Sequence, residues 1–224
     1  MKLVVGLGNP GLEYRGTRHN AGFDAIDALS QRFGSGGRAA RSKFQGLAEE
    51  IAIGDERVLL LKPLTYMNRS GLSAGEALRF HKLDPKQDLM VIVDDMSIPC
   101  GAVRLRGEGG SGGHQGLNDL QRAFGHNAYA RCRIGIDGPG EQDWSSYVLG
   151  RFRPEQRPLV DEGIRLAADA VECWVRDGLA TCMNRFNRNE RAEGESRRPS
   201  AEGASSAARP DGGNTSPPAG PASA

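Results

Sequence analysis

Four polar side chains in this chain of 224 residues, His19, Asp94, Asn9 and Asn68, have the types needed to activate water, and all four fall in stretches that read as loops or strand ends. An imidazole with a carboxylate on one ring nitrogen keeps the other free to take a proton, and with no Ser or Cys beside it the proton comes from water. Positioned proton transfer of this kind is worth roughly 10²- to 10⁴-fold in rate. The amides of Asn9 and Asn68 could fix a substrate carbonyl or donate to a developing oxyanion, about 10²- to 10³-fold per donor. Taken singly, each residue reads better as a cap or a turn residue. The set reads as a hydrolase that needs no metal or other cofactor. Its four cysteines, Cys100, Cys132, Cys173 and Cys182, form no C-x-x-C pair, and no histidine stands at zinc spacing from them.

Two glycine-rich stretches bear on ligands. Gly6, Gly8 and Gly11 spell G-x-G-x-x-G inside "VVGLGNPG". The dinucleotide fingerprint requires a helix to begin at once beneath the pyrophosphate. Here Asn9-Pro10 and "LEYRGTRHN" follow, and helical spacing starts only after Asn20, at Phe23, Ile26, Leu29 and Phe33. The glycines therefore open a loop. The second stretch, "GEGGSGGHQG", ends in His114-Gln115 and runs into a helix, which suits backbone amides approaching an anion or a ribose; a flexible linker is the alternative. Tyr14 and Tyr66 are packing residues or faces for a base or sugar.

The elements that must position these residues alternate between short apolar runs and helical ones. "KLVVGL" precedes a helix over 20–33, "LAEEIAI" and "RVLLLKP" form a hairpin about Gly54-Asp55, and a helix spans 73–81. "LMVIVDD", "AVRLR", a short helix after Gly116, "RCRIGID" and a helix over 154–176 complete the pattern. It predicts a single α/β domain over 1–187, with a mixed, mostly parallel sheet flanked by helices. Ligands of such sheets bind beyond the carboxyl ends of the parallel strands, where His19 and Asp94 would meet if their strands are neighbours. Residues 188–224 contain no Val, Ile, Leu, Met, Phe, Tyr or Trp and are predicted to be disordered. The net charge of +1 gives no global basic signal, but from 101 to 135 five arginines face Glu108 and Asp119, a local excess of +3. No apolar run approaches the roughly 18 residues of a membrane span, and the apolar run at the N-terminus is shorter than a signal peptide's core, so a cytoplasmic protein with reduced thiols is expected.

In order and separation, "VVGLGNPGLEYRGTRHNAGFDAID", "KPLTYMNRSG", "VIVDDMSIPCGAVRLRGEGGSGGHQGLNDL" and "RCRIGIDGPG" resemble the bacterial-type peptidyl-tRNA hydrolases. The resemblance covers about residues 2–187. It implies a metal-independent, usually monomeric esterase that cleaves peptide from tRNA, with His19 as base, Asp94 as its orienting partner and Asn9 helping to select N-blocked substrates. It makes Asn68 a substrate-binding amide, puts Tyr14, Tyr66 and His114 in the site, and gives Arg106 and Arg133 a terminal tRNA phosphate. Two residues depart from the pattern: Gln115 stands where the family has Asn, and Ser97 where it commonly has Asp. The rival readings are a non-catalytic RNA-binding relative, against which the intact His19, Asn9, Asn68 and Asp94 argue, and a hydrolase of small esters.

Overall fold

A computed structural model of the chain describes residues 1–34 and 40–187. The tail expected to be disordered, 188–224, lies outside the described residues. Strand β1 (Lys2–Gly6) leads through two 3₁₀ turns into helix α1 (Ala21–Phe33). Then come β2 (Arg41–Lys43), β3 (Gly46–Ile53), β4 (Glu56–Pro63), α2 (Ser70–His81), the single turn α3 (Pro85–Asp88) and β5 (Leu89–Asp95). The chain continues through β6 (Val103–Arg106), α4 (Gln115–Phe124), β7 (Ala130–Gly135), α5 (Trp144–Leu149) and α6 (Arg157–Phe186).

The seven strands form one sheet in the order β2-β3-β4-β1-β5-β7-β6. Its centre, β4-β1-β5-β7, is parallel, and both edges are closed by antiparallel pairs, so the sheet is mixed as expected. Period-two alternation divides the apolar side chains between the faces. Val4, Val58, Leu60, Met90 and Ile92 pack beneath α1 and α6, whereas Leu3, Val5, Leu59, Leu61, Val91 and Val93 pack beneath α2 and α4. Because β1 runs between β4 and β5, the connections diverge at its carboxyl end and leave a crevice there.

Two glycines bring α1 down onto that end. A Cβ on Gly22 would lie 2.5 Å from the Leu7 backbone nitrogen and 2.6 Å from the Ile92 carbonyl oxygen, and one on Gly6 would lie 2.2 Å from the Gly22 oxygen. The G-x-G at the end of β1 thus serves helix-on-strand contact, and the turn preceding α1 is carried over the mouths of β1 and β5.

The hairpin forms as expected, with Ile53 opposite Glu56 across Gly54-Asp55. Helix α2 starts at Ser70, three residues before the predicted Ser73. Ser73 lies inside the helix, and its hydroxyl donates to the Phe44 carbonyl at 2.6 Å. Helix α6 begins at Arg157 and continues beyond Arg176 to Phe186, broken at Gly178 where φ is 81° and ψ 167°. Beyond the break, the Asn187 side chain accepts from the Leu105 N–H at 2.9 Å and donates to the Leu105 carbonyl at 3.0 Å, occupying both groups on the outer edge of β6. Among the described residues no helix is long and apolar enough to cross a membrane.

Candidate active site

His19 is the middle residue of the 3₁₀ turn Arg18–Asn20, and Asp94 is the penultimate residue of β5. Both are nearly buried. His19 Nδ1 lies 3.0 and 3.1 Å from the two oxygens of Asp94. An ionised carboxylate only accepts, so Nδ1 carries the hydrogen and the Nε2 lone pair is left to the cleft. A second imidazole shares the carboxylate: His114 Nε2 lies 3.1 Å from Asp94 Oδ1, and the two rings are 4.7 Å apart.

His114 reaches this position as the N-cap of α4. Its Nδ1 accepts from the amides of Gly116 at 3.2 Å and Leu117 at 3.3 Å, so its proton sits on Nε2 and is donated to Asp94. Burial by itself would raise the Asp94 carboxyl. The two imidazoles outweigh it, by their attraction when protonated and by their hydrogen bonds in either state, and hold it well below the usual carboxylate range. Burial, only partly opposed by Asp94, lowers the pKa of His114 and keeps the ring neutral.

Asn9 is bracketed from both sides. The Asn20 side chain accepts from the Asn9 N–H at 2.9 Å and donates to the Asn9 carbonyl at 3.0 Å. The Asn9 Oδ1 in turn accepts from the Met67 N–H at 2.8 Å. With its oxygen occupied, Asn9 has only N–H donors left to offer the cleft. Tyr66, one residue before Met67, has φ 60° and ψ 160°, a backbone state that costs on the order of 1–3 kcal/mol in a non-glycine residue.

Two cavities meet at His19. One, about 560 Å³, is lined by Asp94, Asp95, Ser97, Gly112, Gly113, His114 and Arg133; the other, about 500 Å³, by Asn9, Tyr66, Asn68 and Leu149. His19, Gln115, Trp144 and Val148 border both. Arg133 is already engaged, with Asp95 at 2.6 Å and the Gly110 carbonyl at 2.8 Å. Ser97 donates to Asp95 from both its hydroxyl and its amide, so the departure at 97 is absorbed by a local turn.

His19, Asp94 and His114 place three possible ligand atoms within 4.8 Å of one another. The donor chemistry fits a hydrogen-bonded relay better than a metal site. His114 uses one nitrogen to cap α4 and holds a proton on the other, and Asp94 accepts from both rings. The four cysteines are free thiols; burial pushes Cys100 up to about 11 and Cys132 up to about 12.

The family model described as peptidyl-tRNA hydrolase matches residues 3–194. The chain belongs to the peptidyl-tRNA hydrolase family. It is 46% identical over 189 residues to the peptidyl-tRNA hydrolase of Synechococcus sp. (strain JA-3-3Ab), covering 84% of this chain and 83% of that one. To the peptidyl-tRNA hydrolase of Rhodopirellula baltica it is 47% identical over 189 residues, covering 84% and 97%. The crystal structure of peptidyl-tRNA hydrolase from Acinetobacter baumannii superposes with a TM-score of 0.78 at 36% identity, covering 84% of this chain and 95% of that one.

In this peptidyl-tRNA hydrolase the cleft unites His19, Asp94, Asn9, Asn68, Tyr66, His114, Gln115 and Arg133. Tyr14 and Arg106 are not among the residues lining either cavity: Tyr14 belongs to the turn Leu12–Tyr14, and Arg106 ends the edge strand β6. The basic stretch is also less available than its charge suggests. Arg131 is fully buried and binds the carbonyls of Gly109, Gly110 and Asn127, anchoring the glycine-rich loop. Sequence reasoning missed Asn20 and Trp144. The signal for Asn20 was its place beside His19; that for Trp144 was Asp143, whose side chain caps α5 by accepting from the Ser146 N–H at 2.9 Å.

Proposed function

We infer that His19 is the base with which this peptidyl-tRNA hydrolase cleaves the ester between a peptide, or an N-blocked amino acid, and the terminal ribose of tRNA. The observation that carries the reading is the His19–Asp94 contact, with His19 Nε2 facing a cleft that also receives Asn9 and Asn68. Nε2 takes a proton from water as the oxygen attacks the ester carbonyl. Asp94 stabilises the imidazolium that forms, and its ionised state is secured by the two imidazoles. The Asn9 amide donates to the developing oxyanion, its own oxygen being held by Met67. When the tetrahedral intermediate collapses, the ribose oxygen leaves and takes the proton back from His19. The products are a free peptide carboxylate and a tRNA with its terminal hydroxyl restored, ready for recharging.

Asn9 and Asn68 would recognise the acylated amine of the blocked substrate, and Arg133 in the wall of the larger cavity would meet the tRNA phosphate, with Arg106 and Tyr14 acting outside the cleft. The reaction proceeds without metal, in keeping with the hydrogen bonds that occupy His114 and Asp94. The enzyme acts as a monomer in this reading, and the free thiols suit the cytoplasm. The test is release of an N-acetylated amino acid from tRNA, with and without a chelator, against unblocked aminoacyl-tRNA. Turnover of the blocked substrate alone, lost in His19→Ala and insensitive to chelator, is expected. Tight tRNA binding without turnover would favour a non-catalytic RNA-binding role.

A further inference from the structure

Among the described residues eight large apolar or aromatic side chains stand exposed, and three of them, Tyr66, Trp144 and Leu149, border the same smaller cavity. Such a concentration marks a contact surface, not scatter. Tyr66 is held there by a positive φ although the residue is 52% exposed, so the packing of the fold does not compensate for its backbone. Trp144 opens α5, a helix anchored from its other side by Tyr147, whose hydroxyl donates to the Ile136 carbonyl at 2.6 Å. Trp144 thus sits on an anchored helix, is 48% exposed and borders the cleft. No ring contact joins Tyr66 to Trp144 among the described residues, and the space between them is open.

The polar groups of this cavity are Asn9, Asn68, Gln115 and Ser145 beside His19; no Lys or Arg lines it, whereas Arg133 lines the other. Amides without cations match peptide bonds and not phosphates. We propose that the smaller cavity receives the acyl side of the substrate, and that Tyr66, Trp144 and Leu149 select an aromatic or large aliphatic side chain on the residue esterified to tRNA. The proposal rests on His19 as the base, because the shared wall of Trp144 and His19 puts that residue's side chain beside the indole. Apolar pockets discriminate modestly, so a preference of about tenfold over glycine is expected.

The experiment compares kcat/KM for N-acetyl-Phe, N-acetyl-Leu and N-acetyl-Gly esters on one misacylated tRNA body, in the unmodified protein, Trp144→Ala and Trp144→Phe. Expected are a phenylalanine-to-glycine ratio of about ten, a ratio near one in Trp144→Ala, and most of the preference retained in Trp144→Phe. A ratio near one in the unmodified protein would overturn the proposal. So would an equal loss on all three esters in Trp144→Ala, the outcome expected if the terminal adenine stacks on the indole. Failure of the catalytic reading looks different: His19→Ala would turn over every ester at the full rate.

Discussion

His19 and His114 converge on one oxygen. Their Nδ1 and Nε2 atoms lie 3.0 and 3.1 Å from Asp94 Oδ1, so a single buried carboxylate orients the base and ties it to the first turn of α4. The two histidines differ in what else they hold, since His114 spends its second nitrogen on backbone amides and His19 presents its own to the cleft. Replacing His19 by Ala is expected to lower kcat by roughly 10²- to 10⁴-fold with little change in KM. Asp94→Asn should also cost at least two orders of magnitude, because an amide can donate to Nδ1 and select the wrong tautomer, for which about 10⁴-fold has precedent in hydrolytic triads. Single-turnover rates on blocked aminoacyl-tRNA check both.

The buried neutral His114 has a consequence for stability. Its folded pKa is below the ordinary 6.5, so between those values the unfolded chain binds a proton that the folded one does not. Stability therefore falls as pH drops below about 6.5, by protonation of the unfolded state. Urea midpoints at pH 7.5 and 5.5 should differ less in His114→Asn, in which asparagine can still cap α4. An undiminished difference would assign the pH dependence to other groups.

Gly22 is required by contact and not by dihedral freedom. A methyl group there would meet the backbone of Leu7 and Ile92 within 2.6 Å, and strand backbone has nowhere to go. Gly22→Ala is expected to lower unfolding free energy by about 1–3 kcal/mol or more, with a fall in kcat as the His19 turn is lifted. Denaturant titration and turnover on the same preparation test the pair of effects.

Asn20 acts through Asn9. Asn20→Ala leaves the Asn9 N–H and carbonyl without their partners, at about 1–3 kcal/mol per buried group. The loss in kcat should exceed the loss in substrate affinity if the displaced amide serves the oxyanion, as proposed. Partial recovery in Asn20→Asp, which can still accept from the Asn9 N–H, distinguishes positioning from general unfolding.

Arg133→Ala should raise KM more than it lowers kcat, since a phosphate contact distant from the ester serves substrate and transition state alike. Steady-state kinetics at fixed ionic strength decide it, and an unchanged KM would remove Arg133 from the binding surface. The pairing of Arg133 with Asp95 adds a condition: if Arg133 meets phosphate it does so as part of an ion pair, so Asp95→Asn should tighten substrate binding.

His19 and Asp94 were legible because one lies in the loop after an apolar strand and the other at the carboxyl end of an apolar strand, and the parallel pairing of β1 and β5 puts those ends side by side. Asn20 was not, because a residue before a helix reads as an N-cap, yet its side chain makes no cap bond and turns back to Asn9. Helix α5 spans 6 residues, too few for a helical period to emerge, and Trp144 was lost with it. Arg131 counted in the sequence only toward the local +3 excess, since strand alternation carries no information about a loop that folds over the strand. The extension of α6 past Gly178 was hidden by a glycine that looks like a stop and serves as a bend.

Asn187 fills the hydrogen-bonding positions at Leu105 that another strand would use. A strand edge with free amides invites a second molecule to add to the sheet. The asparagine therefore closes the sheet edge to a second molecule: a chain ending at 186 would keep every core residue and every cleft residue while gaining a route to self-association through β6.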